Sequence, residues 1–199
     1  MMTEHHLIEP ERRDLAESLR QQGYCMIDRT VKVTIPLKES MDFARYCRIP
    51  LEIQEGELEL ERISEIAEDS FLLDSRFMPT AQASEEEIRR EIRIWVERMQ
   101  KCFVCRCKGE IAGFLELSYD ESHPAEAEIK LAAVDAKYRV AGVALSLYAG
   151  VARFCREQGL KRLWGRTSSR NMPVVNLYAT LGASFSLPLD VYARSNDNA

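Results

Sequence analysis

An α+β fold, with a mixed but mostly antiparallel central sheet flanked by helices, is predicted by three observations. Three alternating apolar runs, Cys102–Lys108, Glu110–Tyr119 and Glu126–Val134, follow one another as strands separated by short polar connections. A helical run from Gly142 to Glu157 leaves the third strand and leads to a further strand at Leu163–Thr167, a β-α-β crossover. Two more helical runs precede the three strands, and one more lies after the crossover. Hairpins combined with crossovers give a mixed sheet.

Taken in order, Pro10 to Gln22 reads as a charged helix ended by Gly23, and Tyr24–Leu37 as a strand rich in β-branched residues. The same helix–glycine–strand order returns at Asn176–Leu181, Gly182 and Phe185–Ala193. Residues 1–49 therefore read either as the tail of a half resembling the rest or as an extension whose strand joins the sheet, and residues 50–199 as the main domain. A segment so small has to dock on the remainder.

The main domain opens with a strand at Leu51–Gln54 and a helix from about Leu58, with Ile63, Ile66 and Ala67 on its apolar face. Ser84-x-x-Glu87 is a capping-box start for the next helix, whose buried face carries Ile88, Ile92, Trp95, Val96 and Met99. Within Cys102-x-x-Cys105-x-Cys107, alternation puts Cys105 and Cys107 on one strand face and Cys102 on the other. No second ligand pair follows, so no metal is expected.

Bulk properties narrow the function. A net charge of −5 over 199 residues argues against nonspecific binding to nucleic acid or an anionic membrane, and no apolar run reaches membrane-spanning length. The start lacks the pattern of a secretory signal, so the expected location is the cytoplasm.

The most informative stretch joins the third strand to the long helix. Arg139-x-x-Gly142-x-Ala144 puts small residues where a helix N-terminus offers unpaired N–H groups and a favourable dipole to an anion. Arg139 adds a fork of donors suited to phosphate oxygens. It is neither the dinucleotide fingerprint nor a P-loop.

This stretch resembles the pyrophosphate-binding signature Gln/Arg-x-x-Gly-x-Gly/Ala of the GNAT superfamily of acyl-CoA-dependent N-acyltransferases. Asn171 to Gly182 is similar to that family's second segment, Asn-x-x-Ala-x-x-Leu-Tyr-x-x-x-Gly-Phe, sharing the asparagine, the Leu177-Tyr178 pair and Gly182. Val174 and Ala183 depart from it at packing positions. The resemblance spans about residues 51–194 and implies a sheet splayed at the strand pair that takes the acyl-CoA.

It further implies acetyl-CoA as cosubstrate, held by Leu131, Ala132, Ala133, Val134, Arg139, Val140, Ala141, Gly142, Val143, Ala144 and Asn171. Direct transfer to a primary amine follows, with a fixed N–H donor for the oxyanion and Tyr178, near the start of its helix, protonating the departing sulfur. Asn171 either contacts the cofactor or caps its helix. Glu128 is the candidate base, with Glu116 and Tyr119 as rivals. The span around Ser75-Arg76-Phe77 resembles TDP-fucosamine acetyltransferase-type members, which implies a nucleotide-linked amino sugar as the small-molecule acceptor, with Arg76 meeting a phosphate or hydroxyl and Phe77 lining the pocket. Alternatives are a protein, peptide or polyamine acceptor and a non-catalytic acyl-CoA-binding module; a homodimer is left open.

Overall fold

The computed structural model describes residues 5–195. The elements are β1 (His6–Ile8), α1 (Arg13–Gln21), β2 (Tyr24–Pro36), β3 (Leu51–Glu55), α2 (Leu60–Phe71), α3 (Glu85–Glu97), β4 (Lys101–Cys107), β5 (Glu110–Tyr119), β6 (Glu126–Val134), α4 (Val143–Glu157), β7 (Arg162–Ser168), α5 (Met172–Thr180) and β8 (Ser184–Arg194). All strands join one sheet in the order β1-β8-β2-β7-β6-β5-β4-β3, antiparallel except for the parallel pair β6–β7. The expected α+β class is the one found, and the three-residue β1 is an addition that its shortness hid from pattern reading.

The sheet separates two cores. One holds Ile63, Ile66 and Ala67 of α2 and Ile88, Ile92 and Val96 of α3 against Cys102, Val104, Phe114, Leu131 and Ala133. The other holds Val143, Leu147, Val151 and Cys155 of α4 against Phe103, Cys105, Leu115 and Leu163. Cys102 and Cys105 thus pack on opposite faces, as strand alternation requires, and burial pushes both thiols up to about 12. The Ser84–Glu87 capping box forms as the sequence indicated, holding the start of α3.

β2 is an interior strand, paired with β7 on one side and β8 on the other. Its inward residues Val33 and Ile35 are fully buried in the α4 core. The N-terminal segment therefore carries part of the main hydrophobic core, and its removal would separate β7 from β8. Among the described residues no helix is long and apolar enough to cross a membrane.

Truncating Ile35 to alanine should cost about 2–5 kcal/mol, the range for a large apolar side chain deleted from a packed core. Ile53→Ala, at a partly exposed position of β3, should stay within about 1 kcal/mol. Urea unfolding of both variants checks this; equal midpoints would show that β2 does not carry the core.

Candidate active site at the parting of two strands

β6 and β7 pair in parallel only from Glu126–Arg162 to Ile129–Gly165. Beyond that point β6 continues along β5 to Val134, while β7 continues along β2 to Ser168, so the two strands diverge. The cause lies in β6. Its register with β5 jumps from Glu116–Leu131 to Leu117–Ile129, leaving Lys130 as an extra residue. Such a bulge bends and twists the strand that carries it.

The Asp135 N–H donates to the Ala112 carbonyl at 3.0 Å. Because backbone groups alternate in direction along an antiparallel pair, Leu131 and Ala133 bond toward β5, and Ala132 and Val134 turn their backbone groups to the gap. An open strand edge thus runs from the vertex at Ile129–Gly165 to the loop before α4.

That loop is a 3-10 turn, Ala136–Ala141, capped by the Asp135 carboxylate, which accepts from the Lys137 N–H at 2.9 Å. Gly142 then takes φ +74°, the left-handed conformation that glycine adopts without cost, and α4 begins. Among the described residues, and its chain neighbours apart, no atom lies within 4 Å of where a Cβ would stand, so space is open there at the start of α4. The side chains of Val140 and Ala141 lie outside the described parts of the chain. Arg139 is tied down: its guanidinium donates to the Val134 carbonyl (3.2 Å), to Asp69 (2.9 Å) and to Ser70 (3.3 Å). Together with the Arg62–Asp135 ion pair it fastens α2 to the loop.

Tyr178 stands at the vertex, on the α4 side of the sheet. It lies in the last turn of α5, not near its start, because Asn171 caps the helix by accepting from the Val174 N–H at 3.4 Å and Pro173 occupies its first turn. The Tyr178 hydroxyl lies 3.4 Å from where a Cβ on Gly165 would be, and the Ile129 carbonyl oxygen lies 3.3 Å from the same point. Glycine at 165 is what lets the phenol approach the strand so closely. Burial raises the Tyr178 hydroxyl well above the usual phenol range, and the neighbouring Tyr148 adds to this. Burial likewise pushes Tyr148 up to about 12, and the two rings meet edge to face at 5.3 Å. Both phenols therefore keep their protons at neutral pH.

From the other face, the turn Ser75–Phe77 brings Arg76 to the same place. Arg76 donates to the Lys130 carbonyl at 2.6 Å and holds Asp74 through two bonds of 2.9 and 2.7 Å. Burial opposes its charge, but Asp74 more than offsets this, and its positive field reaches Tyr178 and Tyr148. Phe77 is fully buried between Phe71 and Trp95.

The turn is itself anchored to β2. Asp28, 2% exposed, accepts from the Ser75 hydroxyl (3.1 Å), the Ser168 hydroxyl (2.8 Å), the Arg29 N–H (2.8 Å) and Arg170 (3.1 Å). One buried carboxylate thereby links the N-terminal strand, the end of β7 and the turn that carries Arg76.

Two acidic residues flank the bulge. Glu116 accepts from the Trp95 indole N–H at 3.2 Å, and burial raises its carboxyl, although that bond, Lys130 and Arg76 all pull the other way. Glu128 is paired with Lys130 at 3.0 Å.

The residues named from sequence thus fall into groups. Ala132, Val134, Gly142 to Ala144, Tyr178 and Arg76 converge on the gap, whereas Leu131 and Ala133 bond toward β5. Arg139 braces α2, Asn171 caps α5 and Phe77 packs in a core. Sequence reasoning missed Gly165, Tyr148, Asp28 and the anchoring contact of Ser75 with Asp28. A glycine inside the strand Trp164-Gly165-Arg166 was the one signal available, since it marks a bulge or a close approach; the other three carry no local pattern.

A model of the acetyltransferase (GNAT) family matches residues 60–183. No curated protein compared with the chain matches it. Among solved structures, a GCN5-related N-acetyltransferase from Sphaerobacter thermophilus superposes with TM-score 0.65 at 16% identity, covering 94% of this chain and 58% of that one. An acetyltransferase of the GNAT family from Colwellia psychrerythraea gives 0.60 at 15%, covering 96% and 65%. A glucosamine N-acetyltransferase region within a fungal multi-domain GH3 β-N-acetylglucosaminidase gives 0.62 at 10%, covering 93% and 23%. The chain thus spans under two thirds of the length of each of these, and at such identities the likeness is one of fold. The family model, which takes in more than half of the 199 residues, decides the matter: the chain belongs to the acetyltransferase (GNAT) family.

Proposed function

We propose that the protein transfers an acetyl group from acetyl-CoA to a primary amine, with an amino sugar linked to a nucleoside diphosphate as the preferred acceptor. One observation carries this reading: the protonated hydroxyl of Tyr178 lies at the vertex from which an open strand edge leads to the N-terminus of α4. The residues present suit the cosubstrate. Ala132 and the N–H of Val134, whose carbonyl Arg139 already holds, offer backbone groups to an amide-rich arm, and the start of α4 offers N–H groups to a diphosphate.

Attack on the thioester puts charge first on the carbonyl oxygen and then on sulfur. Fixed backbone N–H groups of the open edge supply donors for the first. Tyr178 supplies a proton for the second, and Tyr148 stands ready to support the phenol afterwards. The field of Arg76 favours both negative species. The proton lost by the amine goes to Glu116, whose burial tunes a carboxylate toward a useful basicity, or to Glu128 on the neighbouring strand. The amino-sugar preference draws on the Ser75-Arg76-Phe77 resemblance and on the glucosamine acetyltransferase region among the similar folds.

Tyr178→Phe should lower kcat about 10²–10⁴-fold, the usual worth of a general acid, with the Kd for acetyl-CoA unchanged. Unaltered turnover would remove the acid role; turnover confined to peptides or polyamines would remove the sugar acceptor. Protonating a required carboxylate stops it acting as a base, so kcat/KM should fall as pH drops through the pKa of Glu116, which burial raises. That limb should vanish in Glu116→Gln. Its persistence there, with loss in Glu128→Gln, would move the base to Glu128.

A further inference from the structure

Lys32 of β2 and Arg166 of β7 are direct cross-strand partners, so their side chains leave the same face of the sheet. Like charges placed opposite each other weaken a sheet unless something offsets them. Here no carboxylate does so among the described residues. Lys32 rests its ammonium over the Trp164 ring, 4.4 Å from the centroid. Arg166 donates only to neutral oxygens: the Thr30 hydroxyl (3.2 Å), the Thr30 carbonyl (3.4 Å) and the Leu187 carbonyl (2.7 Å). Partial burial works against its charge, whereas other arginines near the site, such as Arg29, Arg62 and Arg76, are sustained by Asp or Glu. The acidic residue next in register on this face, Glu128 beside Trp164, is already held by Lys130.

The arrangement is also strained. Leu187, whose carbonyl takes the shortest of the Arg166 bonds, has φ +46°, in the left-handed region that a leucine rarely enters. An uncompensated pair of cations fixed by a strained segment costs stability and gains nothing within the chain. Yet the pair adjoins Gly165, whose backbone forms the vertex where Tyr178 reaches the strands from the opposite face.

We propose that Lys32 and Arg166 form a phosphate-binding subsite that holds the acceptor, with Trp164 as its apolar floor, so that the substrate is an amine carrying a phosphoryl group on this face of the sheet. The identity of the ligand as the acceptor rests on the acetyl-transfer reading; the subsite itself rests on the two unpaired cations. Two fixed positive charges suit a phosphate ester or diphosphate better than a single carboxylate, and the guanidinium fork favours planar recognition of its oxygens.

The test is calorimetric titration of inorganic pyrophosphate into the full chain saturated with coenzyme A, so that the start of α4 is already occupied. The wild-type protein should bind, Lys32→Met and Arg166→Met should each weaken binding about tenfold or more, and Lys32→Arg should restore it. Lys161→Met, an exposed lysine just before β7, should change nothing, and unchanged unfolding midpoints would exclude misfolding as the cause. Absence of pyrophosphate binding to the loaded wild type, or variants that bind as it does, would overturn the subsite. If the chain fails to bind coenzyme A while pyrophosphate binding to the free protein still depends on Arg166, the subsite stands and the acetyl-transfer reading falls.

Discussion

A single inserted residue organises the molecule. Lys130 has no partner on β5, and the bulge it makes turns β6 away from β7 just past the Ile129–Gly165 pair. An interior strand pair in a closed sheet has no spare backbone groups; this pair, once parted, has a row of them. Everything chemically interesting then follows from what the fold delivers to the opening. α4 brings its N-terminus, α5 brings Tyr178 to a glycine that admits it, and the turn after α2 brings Arg76 to the carbonyl of the bulge residue itself.

The bulge is stabilised from outside the region matched by the family model. Asp28, on β2, lies before residue 60, yet it fixes Ser75 and so the position of Arg76. A buried carboxylate with four donors is costly to leave half-satisfied, so the pieces it joins are expected to move together. The N-terminal strand contributes to the site in this way as well as to the core.

Much of the fold was legible because its periodicities are strong. The runs Glu110–Tyr119 and Glu126–Val134 match β5 and β6 residue for residue, and Ser84 with Glu87 marked the start of α3. The tight loop before α4 was legible from Gly142, which takes the left-handed φ that favours glycine. The site was less so. Arg139 looked like a free donor fork, but its role is set by Asp69 and Ser70, seventy residues earlier and invisible to local pattern. Phe77 looked like a pocket wall because Ser75-Arg76-Phe77 is rich in functional groups; packing between Phe71 and Trp95 claims it instead. Asp28 sat in an alternating strand where a charged residue reads as solvent-facing, and only the tertiary arrangement buries it.

The coenzyme is expected to enter the gap between β6 and β7. Titrating acetyl-CoA into isotopically labelled protein and following the backbone amides by NMR tests it most directly. The largest shifts are expected at Ala132, Val134 and Gly142–Ala144, together with a change at the Gly165 amide beside the phenol. Shifts confined to another surface, or none at these amides at saturating acetyl-CoA, would contradict it.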